Sequence, residues 1–410
     1  MKATPKHAEM LQFPVHNNEL HIGGIPLSRL ASRVGQTPFY AYDRQVITHR
    51  LQTLRGTLPE GIHVHYAIKA NSMPAVVQHL AGLTDGLDVA SVGEMKTALD
   101  TGISGEKISF AGPGKSNREL TAAIAAGVTI NMESEGEMAR ITTIGEQLAI
   151  APRVAVRINP DFELKTSGMK MSGGPKPFGI DAERIPDVLK RIASLELDFQ
   201  GFHIFSGSQN LRPEALIEAQ TKTFELAYRM AEYAPKPISW LNIGGGFGIP
   251  YFPGEQPLDL QPVADNLRLL LDECKTRLPD AEIVIELGRY LVGEAGIYVC
   301  EVIDKKVSRG ETFILTNGGL HHHLAASGNF GQVIRKNYPV CVGNRVSSDK
   351  TEIVSIVGPL CTPLDILASK VELPVMETGD LVVIYQSGAY GLNASPQDFL
   401  SHPHTVEVLV

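Results

Sequence analysis

The stretch HVHYAIKANSMP, residues 63–74, decides how the chain is read. An apolar run rich in β-branched and aromatic residues ends at Lys69, a small polar segment follows, and a helical pattern begins beyond it, as a strand, a turn and a helix require. Working outward, the run VHYAIK (64–69) is the first of eight with this texture. The others are LDVAS (87–91), ISFAG (108–112), TINME (129–133), RVAVRI (153–158), GFHIF (201–205), WLNIGG (240–245) and IVIEL (283–287). Between them lie stretches such as SEGEMARITTIGEQL and PEALIEAQTKTFELAYRMAEY, whose apolar residues recur every three to four positions. Eight strand–helix units predict an α/β fold, a (β/α)8 barrel of the TIM type over 39–287, whose functional groups gather at the carboxyl ends of its strands.

Beyond 288 the texture changes. GIYVCEVIDKKV, TFILTN, EIVSIVG, DLVVIYQSG and TVEVLV follow one another without long helical patterns. They predict a C-terminal β-rich domain, sandwich-like or barrel-like, over 288–410. Residues 1–38 are expected to pack on it, and the early segment LHIGGIPLSRLASRVGQTPFYAYD to lend it a strand. Residues 159–180, NPDFELKTSGMKMSGGPKPFGI, form a long connection for a barrel, and such loops tend to be lids or binding elements.

Bulk composition narrows the function. With 410 residues, 43% of them hydrophobic, the chain can bury a large core. A net charge of −8 from interspersed acids offers no basic footprint for nucleic acid, so small molecules or proteins are the expected partners. The opening MKATPKHAEMLQ has no apolar signal core, and no apolar run is long enough to span a bilayer, which predicts a cytoplasmic protein with no membrane partner. The four cysteines, Cys274, Cys300, Cys341 and Cys361, form no CxxC pair and read as reduced thiols.

Several strand ends carry groups suited to chemistry. A desolvated Lys69 amine can form a Schiff base, although a lysine at a strand end is ordinarily a solvated charge. NIGGGFG (242–248) places bare backbone amides at Gly245 and Gly246, either a tight turn or a phosphate cradle. It is no dinucleotide fingerprint, because Ile249 stands where the last glycine of G-x-G-x-x-G would be. IELGRY (285–290) offers Glu286 and Arg289, otherwise a surface ion pair, and FSGSQN (205–210) offers Ser208, otherwise a turn residue. An amine, an anion cradle and a carboxylate on one rim are the set that pyridoxal 5'-phosphate requires.

With PFYAYD, YAIKAN, DVASVGE, VRINPD, GSQ, GGGFG, ELGRY, GPLCTPLD and GAYG in order, the sequence resembles the fold-type-III, alanine-racemase-like pyridoxal phosphate decarboxylases, which include the ornithine and diaminopimelate enzymes. More narrowly it is similar to the exosortase-A-associated branch and to the butirosin-pathway decarboxylase of a carrier-linked glutamyl group. The resemblance implies that Lys69 holds the cofactor covalently, that Ser208, Gly245, Gly246, Gly288 and Arg289 surround its phosphate, and that Glu286 pairs with the pyridine nitrogen. It places Asp88, Glu94 and Arg157 around the lysine and the ring, with Tyr390 reaching the cofactor from the second domain. Cys361 becomes the proton donor, supplied by the other subunit of a homodimer with shared active sites. Arg289, Thr362, Asp365 and Tyr390 fall on the substrate side, and Arg335 in VIRKNYP either meets a substrate carboxylate or lies exposed. A glutamate at 286 keeps the pyridine nitrogen protonated and favours decarboxylation, whereas a racemase of this fold would show arginine there.

The departures from the family pattern concern the substrate. The histidine that stacks on the cofactor in many relatives is Phe205, which can still stack by its face. Decarboxylases of free diamino acids carry an acid just after the cysteine; here it is Thr362, which cannot neutralise a distal ammonium, and Asp365 is the only nearby substitute. The usual EPGR reads ELGR. Lys165, Lys170 and Lys176 in the long loop read as a solvated surface or as a patch for an acidic carrier protein. HHH (321–323), read as a strand, cannot turn all three rings to one ion, so no metal is expected. The expected activity is removal of the α-carboxylate of an amino acid, free or held as a thioester on an acyl carrier protein. The alternatives are a free diamino acid decarboxylase acting on diaminopimelate, lysine or ornithine, an amino-acid racemase, and a non-catalytic cofactor-binding regulator.

Overall fold

The computed structural model describes residues 5–162, 169–170, 174–330, 332 and 334–410. The chain divides into two compact units: Leu51–Gly248 with Leu258–Gly288, and Met1–Arg50 with Ile249–Pro257 and Arg289–Val410.

The first unit is a closed parallel barrel. Its strands are β1 (Ile62–Ala67), β2 (Gly86–Val89), β3 (Ile108–Phe110), β4 (Thr129–Met132), β5 (Arg153–Asn159), β6 (Asp198–His203), β7 (Trp240–Gly245) and β8 (Glu282–Leu287). Each pairs with the next, and β8 returns to β1 with Glu286 opposite His65. The strands are buried along nearly their whole length, which is why they read as continuous apolar runs rather than alternating ones. The intervening helices are α1 (Pro74–Ala81), α2 (Val92–Asp100), α3 (Asn117–Ala125), α4 (Glu135–Leu148), α5 (Ile185–Ile192), α6 (Pro213–Ala231) and α7 (Gln261–Arg277). Three successive helices start on a serine cap: the hydroxyls of Ser91, Ser116 and Ser134 accept from the backbone N–H of Glu94, Glu119 and Glu137. These caps fix where α2, α3 and α4 leave the functional end of the barrel.

Lys69 lies just past the end of β1, not on it. The strand stops at Ala67, and Lys69 is the middle residue of a single 3-10 turn, Ile68–Ala70. In the long connection after β5, the backbone pair Met169–Lys170 runs antiparallel to Gly207–Ser208, and Ile180–Asp181 extends the sheet beside β5.

The second unit is built on an eight-stranded mixed sheet. Gly296–Ser308 is its long central strand, flanked by Glu311–Thr316 and Leu381–Ile384; Thr351–Val357, Ile366–Pro374 and Val340–Val342 complete the path. Phe39–Tyr42 pairs antiparallel with Gly296–Val299 and parallel with Val406–Leu409. Phe13, Leu20, Ile22, Leu27 and Leu30 of the N-terminal segment pack with Phe39, Ile297, Val299 and Val383 in one core. Each such fully buried side chain contributes about 1.5–3 kcal/mol.

Two expectations need correction. Residues 39–50 group with the β-rich unit rather than with the barrel, because Phe39–Tyr42 takes its hydrogen bonds from that sheet. His321, His322 and His323 lie in turns, not in a strand, and all three rings are buried. The turn lets all three pack inward, which alternation along a strand would forbid. Among the described residues, no helix is long and apolar enough to cross a membrane.

Candidate active site

At the carboxyl end of the barrel the Lys69 amine stands 3.0 Å from Glu286 Oε1 and 5.3 Å from the centre of the Phe205 ring. The other carboxylate oxygen of Glu286 is held 3.1 Å from His203 Nε2. Burial alone would raise the Glu286 carboxyl, but the Lys69 ammonium and His203 hold it well below the usual carboxylate range. Glu286 is therefore an anion at neutral pH. A buried carboxylate with an ammonium on one oxygen and an imidazole on the other can exchange that ammonium for another cation, which is what a partner for a protonated ring nitrogen must do.

Beside this pair lies the glycine loop that follows β7. Gly246 has φ +82°, and a Cβ there would lie 2.5 Å from Gly207 O; a Cβ on Gly245 would lie 2.0 Å from Glu286 O. Only glycine allows this backbone to approach Gly207–Ser208 and β8 so closely. Ser206, Gly207, Asn210, Gly244 and Gly245 line a pocket at this loop. Gly288 is equally crowded, its would-be Cβ 2.8 Å from Ala70 beside the lysine turn.

Asp88, Glu94 and Arg157 belong to neighbouring networks. Asp88 Oδ1 accepts from the Ser109 hydroxyl and lies 3.2 Å from His65 Nδ1, while Oδ2 is buried with no partner among the described residues. Burial works against the His65 cation, but Asp88 raises its pKa. Glu94 accepts from Ala90 N at the start of α2, and burial raises its carboxyl despite the charge of Lys69. Arg157 donates to Glu133 Oε1 at 2.7 Å and stacks over Phe178. Glu133 also accepts from Gly112 N and Gly179 N, so Arg157 ties the ends of β3, β4 and the long connection together. The deeply buried Lys115 donates to Gly112 O, Asn131 O and Glu137 beside this cluster.

The remaining candidates lie in the β-rich unit. Arg289 donates to the Tyr251 hydroxyl at 2.9 Å and stacks over Tyr390, 4.6 Å from the ring centre. Burial lowers the pKa of its guanidinium, but Tyr251, Tyr390 and Tyr338 more than restore it, so Arg289 stays a cation. Tyr390 is held at φ +52°, a left-handed conformation that costs a tyrosine about 1–3 kcal/mol. Cys361 is exposed in the loop joining Thr351–Val357 to Ile366–Pro374. The Thr362 hydroxyl accepts from Leu364 N. Arg335 donates to Ile366 O, with burial lowering its pKa, so it is tied to the β-rich unit's own backbone rather than exposed.

Asp365 is not available as the distal substrate anchor. Its Oδ1 accepts from Leu320 N at 2.6 Å and its Oδ2 from Leu360 N at 2.8 Å, deep inside the unit. Burial raises its carboxyl, and the two backbone donors partly offset that. The residue braces the cysteine loop from within.

His203 is the neighbour of Glu286 that the sequence reading missed. His203 sits two positions before Phe205 in GFHIF, and its alternation onto the inner face of β6 is the signal that was there to be used. Among the described residues no group of three or more His, Cys, Asp or Glu is placed to hold a metal ion.

A lysine amine, a buried carboxylate and a glycine cradle at the strand ends of a (β/α)8 barrel define a vitamin B6 enzyme built on a barrel rather than on the sheet of a transaminase. The chain belongs to the pyridoxal-dependent decarboxylases: the family profile described as "Pyridoxal-dependent decarboxylase, pyridoxal binding domain" matches residues 44–293. It is 39% identical to the L-glutamyl-[BtrI acyl-carrier protein] decarboxylase of Niallia circulans over 91% of this chain and 89% of that one. It is 33% identical to the diaminopimelate decarboxylase of Aquifex aeolicus over 96% and 91%. The crystal structure of diaminopimelate decarboxylase from m. jannaschii in co-complex with L-lysine superposes with a TM-score of 0.87 at 26% identity, covering 97% of this chain and 92% of that one. The enzyme is thus a lyase acting on an amino-acid substrate with pyridoxal phosphate as cofactor. The residues present fit that group: an amine for the aldehyde, an anion for the ring nitrogen, an aromatic face at Phe205 and a loop that only glycine can form.

Proposed function

We propose that the substrate is an amino acid without a free distal ammonium, carried as a thioester on an acyl carrier protein, and that its α-carboxylate leaves as carbon dioxide to give the carrier-bound amine. The observation that carries this reading is the cysteine loop. Thr362 is neutral, and the one acid that follows, Asp365, has both oxygens on backbone N–H groups, so the loop offers no counter-charge to a distal ammonium. The 39% identical relative, whose name gives a carrier-linked glutamyl group as its substrate, supports the same class.

Bound pyridoxal phosphate supplies the electron sink into which the Cα–carboxylate bond breaks. Lys69 would hold the cofactor through its amine. Glu286 would face the ring nitrogen and favour its protonated form, and Phe205 would offer an apolar face that excludes water. Ser208, Gly245, Gly246, Gly288 and Arg289 would surround the phosphate, Tyr390 would reach the cofactor, and Asp88, Glu94 and Arg157 would frame the lysine and the ring. Cys361 Sγ delivers its proton to Cα and recovers one from solvent.

We place Cys361 at the site of a neighbouring subunit in a homodimer. Its exposure supports this, as do the exposed apolar side chains Phe330, Ile334 and Leu364 of the same unit. Free buried thiols at Cys274, Cys300 and Cys341 suit a cytoplasmic setting. The long connection, which pairs Met169–Lys170 with Gly207–Ser208, is the element we assign to meeting the carrier or its arm. Of its lysines, Lys176 is partly exposed, Lys170 is described in its backbone alone, and Lys165 lies outside the described residues.

The test is a panel of free and carrier-linked amino acids offered to the purified enzyme, with products identified by mass spectrometry. Loss of carbon dioxide from carrier-linked substrates alone is the expected result. Comparable turnover of free lysine, ornithine or diaminopimelate would overturn the assignment of substrate while leaving the family intact.

A further inference from the structure

We propose that Asn242 and His203 are positioning residues forming a hydrogen-bonded relay that presents Glu286 to the cofactor as an undiluted anion, an inference that rests on the role of Glu286 given above. His203 and Asn242 are register-matched neighbours on the parallel strands β6 and β7. Their side chains therefore project to the same face from backbones about 4.8 Å apart. Both are completely buried.

The relay follows from hydrogen-bond polarity. His203 Nε2 lies 3.1 Å from Glu286 Oε2, a contact that attracts only when Nε2 carries a hydrogen. In a neutral ring Nδ1 is then an acceptor, and it has no partner among the described residues. Asn242 is oriented by its other end, because Oδ1 accepts from Gly244 N at 2.8 Å. That leaves Nδ2, a donor, which is also buried and without a partner among the described residues. An orphaned acceptor and an orphaned donor on paired neighbours are complementary, and one bridging water satisfies both.

The same polarity excludes the alternative. A doubly protonated His203 would turn an Nδ1–H toward the Asn242 amide, so the bridging water would have to accept from both and bury its own two hydrogens without these acceptors. Asn242 thus keeps a single hydrogen on His203, at Nε2, and denies Glu286 a permanent cation on that side. The charge of Glu286 is reserved for whatever cation faces its Oε1, which is the Lys69 ammonium here and the protonated ring nitrogen in the loaded enzyme. The relay also joins the two ends of the cofactor site, since it starts at Gly244 N in the cradle loop and ends at Glu286.

The experiment reads the tautomer directly. Nitrogen-15 NMR of the histidine-labelled holoenzyme, with the His203 signals identified by their loss in His203→Gln, is expected to show hydrogen on Nε2 and none on Nδ1. A hydrogen on Nδ1 in the unsubstituted enzyme overturns the relay, whether or not any variant accumulates. Asn242→Asp keeps the acceptor for Gly244 N and removes the donor; His203 should then gain a second hydrogen. The pH titration of the bound cofactor's visible absorbance should shift, and kcat should fall about ten- to a hundredfold, as for outer partners that orient a functional group. An unchanged tautomer and absorbance titration in that variant would equally reject the relay. Glu286→Gln serves as the control: if its absorbance titration matches the parent while the tautomer is as proposed, Glu286 is not the ring partner and the role of the relay fails with it. A shift in Glu286→Gln combined with an unchanged Asn242→Asp rejects the relay alone.

Discussion

The barrel rim and the cysteine loop of the β-rich unit each bury a carboxylate to nearly the same depth, Glu286 at 5% and Asp365 at 3% exposure. Their partners differ. Glu286 faces an ammonium and an imidazole, and its pKa is driven down; Asp365 faces two backbone N–H groups, and burial wins, so its pKa rises. A side-chain cation such as the Lys69 ammonium can be replaced by a ligand, whereas backbone donors cannot be given up without unmaking the loop. Burial by itself does not mark a functional acid; the nature of its partners does.

Three measurements bear on this contrast. The largest effect is expected at Glu286→Gln, which keeps the shape and removes the charge. Its kcat should fall by about 10²–10³, the range for loss of one preorganised electrostatic contact, with the protein still folded by circular dichroism. Retention of most of the activity would erase the distinction drawn for the rim.

The second effect is on acid stability. Burial lowers His323 to a pKa of about 3, and its Nδ1 already accepts from Ala326 N while Nε2 contacts Ser387 Oγ, which leaves no place for a second proton. The unfolded chain takes up that proton near pH 6.5, so stability is full above that value and falls as the pH drops toward 3. The slope is about 1.4 kcal/mol per pH unit for this group while the unfolded histidine is protonated and the folded one is not. Glu286 behaves differently. Its depressed pKa stabilises the fold above the unfolded value near 4.3, and that contribution is lost only as the pH falls below it. Urea titrations between pH 7 and 5 should therefore show the loss already under way before the carboxylate contributes to it. A flat profile over that range would contradict the histidine assignment.

The smallest effect belongs to Asp365→Asn. One of the two backbone donors would face an amide N–H, costing about 1–3 kcal/mol of stability, visible as a lower melting temperature. Substrate KM at low temperature should change little. A large rise in KM for one substrate class, without loss of stability, would return Asp365 to the substrate side.

The barrel was legible because parallel strands are buried on both faces and announce themselves as apolar runs; S-x-x-E at 91–94, 116–119 and 134–137, where α2, α3 and α4 begin, was a further signal that went unread. The second sheet was harder. Val340–Val342 is too short to carry a pattern, and ILASKVELP (366–374) mixes Ser369, Lys370 and Glu372 into its apolar residues, with Lys370 at a positive φ where the register shifts. Phe39–Tyr42 lies within the early segment expected to lend this sheet a strand, and it does so, although it lies far in sequence from the strands it joins and no local signal named which two they would be. In the site, Lys69, Glu286 and the glycines were marked by spacing. His203 and Asn242 were not, because their significance lies in which atoms are left without partners, a property of register rather than of residue type.

Phe39–Tyr42 also constrains how the polypeptide is made. Its hydrogen bonds run to Gly296–Val299 on one side and to Val406–Leu409 on the other, and Arg44 N and Tyr42 O both bond to Val410. A ribosome therefore releases this strand long before either neighbour exists, and must finish about 250 further residues before the first can reach it. Its edges stay open for almost the whole of translation, a window in which a chaperone or a second nascent chain competes for them.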